Sequence, residues 1–139
     1  GLFAEVIKMM INKYLHEINE ALDIGETARD KMSSLIKFFK EMLNNNPELF
    51  RLLYDLTGLA IWSSSFSSLL RNLFNEISNM IEEKILNKSN LNDNVTNYSS
   101  KSVARMILGA MFGTAIQVIL DSDEGDISDA LNAVQIIFE

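Results

Sequence analysis

Between Val103 and Leu120 only Arg105, Thr114 and Gln117 interrupt a run of apolar and small residues. A helix apolar around its whole circumference has no solvent face, so the rest of this chain or another chain has to cover it. The stretch from Met106 to Leu120 is shorter than the about 20 residues that cross a bilayer, and it carries Gln117, which favours a covered helix over a membrane span. Within it Gly109 and Gly113 stand four apart, a spacing that strips side chains from one stripe and lets another backbone approach closely. On the residues alone that stripe is either a packing notch inside the monomer or a subunit contact.

The segments before it read as amphipathic helices. From Leu2 to Leu22 the apolar residues Leu2, Phe3, Val6, Ile7, Met10, Ile11, Tyr14, Leu15, Ile18 and Leu22 recur at three and four, which predicts a first helix ending near Gly25. Thr27, with Asp30 three residues on, predicts the capped start of a second helix that stops in Asn44-Asn45-Asn46. Pro47 suits the first turn of a third helix, which runs to about Gly58. Five serines between Gly58 and Ser68 surround Trp62 and Phe66 and predict a bend. A stripe from Phe66 to Leu86 makes the fourth helix, and the Asn- and Ser-rich stretch Asn87 to Ser100 reads as a surface loop. The apolar run is the fifth helix. After an acidic turn at Asp121–Gly125, Asp126 is placed to cap a sixth, with Ile127, Leu131, Val134, Ile137 and Phe138 on its face. The expected fold is a single all-α domain over residues 1–139, an antiparallel bundle of about six helices.

Composition narrows the function. A formal net charge of −7 with no basic cluster repels a phosphate backbone, so the chain offers no DNA grip of its own. The lack of cysteine removes disulfides and thiolate chemistry and fits a cytoplasmic setting. Gly1 stands where a start methionine would, so the natural start is expected upstream. His16 is the sole histidine, beside Glu17 and Glu20, and reads as a surface residue. The acidic turn lacks the spacing of a calcium loop, and no nucleophile and base stand at usable spacing. No enzyme, metal or cofactor is expected. The Asn-x-Ser/Thr triplets at Asn87, Asn94 and Asn97 mark only a loop. What rises above background is a surplus of large, adaptable apolar residues, which either fill a core or line a ligand cavity.

Gly1-Leu2-Phe3-Ala4-Glu5-Val6-Ile7 resembles the segment that follows the helix-turn-helix in TetR-family transcriptional regulators. Asn46-Pro47-Glu48-Leu49-Phe50-Arg51-Leu52 resembles a helix start common among them, and Met111-Phe112-Gly113 through Asp121 is similar to their penultimate helix and its acidic turn. The likeness runs in order along the whole chain. It implies a homodimer joined through the last two helices, with Gly109, Gly113, Ile116, Gln117, Leu120, Ile127, Leu131, Val134 and Phe138 at the interface. It also implies an effector pocket among the earlier helices, for which the inward faces offer Met10, Tyr14, Phe39, Met42, Leu56, Trp62, Phe66, Leu70 and Met111. Tyr14, Trp62, Ser65 and Arg71 are candidate polar anchors for a hydrophobic or amphipathic effector. DNA binding is expected only through a separate N-terminal domain, and the competing reading is a solid adaptor bundle with no small-molecule ligand.

Overall fold

The apolar periodicities become helices in the computed structural model, which describes residues 2–88, 91, 93–121 and 127–138. The elements are α1 (Leu2–Leu22), α2 (Ala28–Asn45), α3 (Pro47–Ala60), α4 (Ser64–Lys84), α5 (Asp93–Thr96), α6 (Ser100–Leu120) and α7 (Ile127–Asn132). Short 3-10 turns follow α4 (Leu86–Lys88) and α7 (Ala133–Phe138). The fold is all-α, with no strand among the described residues.

Local signals account for most boundaries. Thr27 Oγ1 accepts from the Asp30 amide at 3.0 Å, so the cap of α2 forms as its spacing predicts. Pro47 opens α3. The C-terminal end of α1, where backbone carbonyls are left over, draws two ammonium groups: Lys31 Nζ donates to the Leu22 carbonyl at 2.8 Å and Lys84 Nζ to that of Asn19 at 3.4 Å. Lys84 also pairs with Asp23 at 2.6 Å, tying α4 to the α1–α2 turn.

Three boundaries differ from expectation. Gly58 does not end α3, which continues to Ala60 because the glycine sits in open space and nothing there requires a break. The Asn-rich loop contains the single turn of α5. The last helix tightens after Asn132 into a 3-10 turn. Gly1, Ser89, the acidic turn over residues 122–125 and the expected cap Asp126 lie outside the described residues, as does the side chain of Ile127.

Helices α1, α2, α3 and α4 form a ring in which each packs on its neighbour in sequence and α4 closes back onto α1. No extensive contact joins α1 to α3 or α2 to α4 across it. Helix α6 lies along α4 and α3, and α7 bridges α6 and α2. One face of α6 is core: Val103, Ala104, Ile107, Leu108, Met111 and Ala115 are buried. Its other face, with Met106, Gly109, Ala110, Gln117 and Leu120, is exposed. At 21 residues α6 is long and apolar enough to span a bilayer, so its length does not exclude a span as the shorter run Met106–Leu120 suggested. About 33 % of its apolar stretch is buried, on the face that packs against α3 and α4.

Gly25 turns the chain from α1 into α2 with φ +96, and a Cβ there would stand 2.6 Å from the Asp30 Cβ. Gly25→Ala therefore forces both a left-handed backbone and the capping turn of α2. It is expected to lower stability by roughly 1–2 kcal/mol in urea unfolding. An unchanged midpoint would show that this turn relaxes freely.

Candidate ligand cavity

Side chains from all four ring helices point into the space between them, and α6 closes it with Leu108, Met111 and Phe112. They leave a cavity of about 100 Å³, partly open on one side. The surface facing it is almost wholly apolar, and Tyr14 is the one lining residue that carries a hydroxyl. The lining residues of α4, Leu70, Leu73 and Ile77, are buried. Those that remain partly exposed include Met10 and Tyr14 of α1, Met42 near the end of α2, and Leu49, Leu52 and Leu53 of α3. Ile11 of α1 and Phe112 of α6 are partly exposed too, so the more open lining is concentrated on α1 and α3, with single residues on α2 and α6.

One wall is aromatic. The Phe112 ring meets Phe39 at 5.1 Å and Phe74 at 5.3 Å edge-on, and Phe50 at 6.0 Å, joining α6 to three ring helices. The same residue is held by its backbone, because the Tyr54 hydroxyl of α3 donates to the Phe112 carbonyl. Burial raises the Tyr54 pKa above its usual 10.0, while the Ile116 backbone beside it pulls the other way.

Of the nine residues anticipated for a pocket, the structure brings together Met10, Tyr14, Phe39, Met42, Leu56, Leu70 and Met111. Trp62 requires correction. It is 89 % exposed, because its amide closes a turn onto the Leu59 carbonyl at 3.0 Å where α3 ends, and the ring swings out from the end of the bundle. Phe66 also stands outside the lining. It lies one turn beyond Leu70 and meets Phe3 edge-on at 6.1 Å, forming the layer above the cavity. Ser65 and Arg71 are exposed, Arg71 reaching Ser67 Oγ at 3.4 Å, so of the four proposed anchors only Tyr14 faces the cavity. Phe50, Leu73 and Ile77 stand on the apolar stripes of their helices, but periodicity does not separate cavity wall from solid core, and it assigns Leu108 no face on a helix apolar all round. His16 Nε2 contacts Glu20 Oε1 at 3.0 Å on the surface, and no cluster of metal-ligating groups occurs among the described residues.

The residues anticipated for a dimer interface divide. Gly109, Gln117 and Leu120 are exposed and Gly113 and Ile116 partly so; no atom lies within 4 Å of where a Cβ would stand on either glycine, which leaves no room for the notch reading inside the monomer. Leu131 is a correction: it is wholly buried, because α7 folds back onto α2 and α6 and spends that side chain on the monomer core. Val134 and Phe138 are partly buried, and the Arg29 guanidinium of α2 covers the Phe138 ring at 5.6 Å. Ile136, unanticipated, is exposed.

At roughly 24 cal/mol per Å³, an empty space of about 100 Å³ costs about 2 kcal/mol. Leu70→Phe, which extends a buried wall residue into it, is expected to raise the thermal midpoint by about 3 °C. A fall of that size would mean the space cannot take the ring. The Tyr54 hydroxyl gives a second test. Its folded pKa is raised, so its contribution is whole below pH 10 and is lost as pH climbs through the folded value. Tyr54→Phe is expected to cost roughly 1 kcal/mol at neutral pH and to flatten the decline of the urea midpoint above pH 10. An equally steep alkaline decline in the variant would count against this bond.

The chain matches no family model, no curated protein and no solved structure.

Proposed function

We infer that this chain is the ligand-sensing and dimer-forming domain of a TetR-type transcriptional repressor in the cytoplasm, binding a small hydrophobic or amphipathic effector. The observation that carries the sensing half is the apolar cavity at the centre of the ring. A solid adaptor bundle has no use for an interior space that weakens its core, and a cavity lined by adaptable methionine and phenylalanine side chains suits a small apolar guest. The dimer half rests on α6, whose uncovered face presents Met106, 57 % exposed, and Leu120, 78 % exposed, on either side of two unobstructed glycines. An apolar face of that kind favours association. The resemblance of residues 1–7, 46–52 and 111–121 to TetR-family regulators supplies the link between the two. DNA binding then belongs to a domain ahead of residue 1, since the net charge of −7 disfavours it here. Effector binding acts by favouring one spacing of the DNA-binding heads over another.

Sedimentation equilibrium tests this directly: the domain is expected to be a dimer at micromolar concentration. Gly113→Leu, which places a branched side chain on the open face of α6, is expected to weaken the dimer about tenfold or more while leaving the helical content of the monomer intact and its thermal midpoint no lower, since leucine favours a helix over glycine. A monomeric parent, or a variant that dimerises as well as the parent, would remove α6 from the interface.

A further inference from the structure

The chemistry of the lining narrows the ligand, on the reading that the cavity is a ligand site. We propose that the cavity takes an uncharged molecule about the size of one aromatic ring, admitted on the side of α1 and α3, and discriminates against amphiphiles with an ionised head.

Size is the first argument. An apolar cavity of about 150 Å³ in a well-packed core stays dry and takes up benzene, and the about 100 Å³ here, with a mouth that extends it, belongs to the same scale. Charge is the second. No carboxylate, ammonium or guanidinium belongs to a lining residue, and almost no polar surface faces the cavity. An ion drawn in would lose its hydration and find no partner, a penalty large enough to exclude it. The mouth does not rescue an anionic head. Lys13 Nζ lies 5.7 Å from the centre of the Tyr14 ring, but it belongs to an exposed residue and remains hydrated. A pair made there is a surface pair, worth little. Access is the third argument. Met10 and Met42, unbranched and partly exposed, stand on the α1 and α2 sides of the mouth, and their soft side chains move aside for a small flat guest without shifting a helix.

The methionines also report the outcome. With methyl-¹³C-methionine protein, the Met10, Met42 and Met111 methyls come from three different walls of the cavity, while Met9 and Met106 are exposed controls. Toluene is expected to move the three wall signals and leave the controls in place, with a Kd at least about tenfold below that of octanoate. Octanoate moving the same three signals with an affinity within tenfold of toluene, or better, would overturn the preference for an uncharged guest and leave the cavity standing as a ligand site. If neither compound moved the wall signals, the ligand reading itself would fall with it.

Discussion

Helices packed on one another keep their axes about 8–10 Å apart, and four of them closed into a ring leave a diagonal of about 13 Å that no helix pair bridges. In this chain α1, α2, α3 and α4 make that ring, each on its sequence neighbour, with both diagonals unpaired. Only side chains can fill the centre. Here they are Leu, Ile, Met and Phe from four directions, buried on α4 and partly exposed mainly on α1 and α3. Shape mismatch among such residues leaves the space at the centre, and its more open lining falls on α1 and α3, the helices of one unpaired diagonal. Site and fold therefore share one cause.

Helix α6 covers the ring on its α3–α4 side. Its inner face is buried from Val103 to Ala115, and Phe112 plants one ring among Phe39, Phe50 and Phe74. The polar contact that registers α6 along α3 is the Tyr54 hydroxyl on the Phe112 carbonyl, one residue before Gly113. A hydroxyl donating to a helix carbonyl can be satisfied in only a narrow range of positions, whereas aromatic edges slide more freely. The aromatic wall thus supplies attraction and the hydroxyl supplies register.

Much of this is legible in the sequence because a 3.6-residue period names an inward face without any knowledge of neighbours. Met10, Tyr14, Phe39, Met42, Leu56, Leu70 and Met111 lie on such faces and do converge. Trp62 fails because it belongs to no helical face: where α3 ends, direction is decided by the turn closing onto Leu59, which periodicity does not encode. Phe66 has the right face but the wrong height, one turn beyond the cavity where Phe3 covers it, and height depends on helix register. Leu131 shows the converse. A short amphipathic helix can spend its apolar side on its own monomer or on another, and only the fold-back of α7 onto α2 decides. The all-round apolar character of α6 was the most informative signal of all, since it predicted two covered faces, and one of them is the core.

That helix gives the proposed domain a physical route between its two roles. Phe112 lines the cavity, and Gly113, the next residue, stands on the uncovered face. A guest in the cavity presses on the Phe112 ring, and the ring cannot retreat independently because Phe39, Phe50 and Phe74 hold its edges while Tyr54 holds its backbone. A guest larger than the free space would then shift α6 as a body, or α1, whose Met10 and Tyr14 line the cavity. The N-terminal third of α1 carries exposed Leu2, Val6 and Met9, and both helices are anchored by buried residues elsewhere, α1 between Ile7 and Leu22 and α6 between Val103 and Ala115. On the proposed reading, a guest that displaced a cavity wall would be felt through α1 or α6, the two helices that join the cavity to the start of the chain and to the uncovered face.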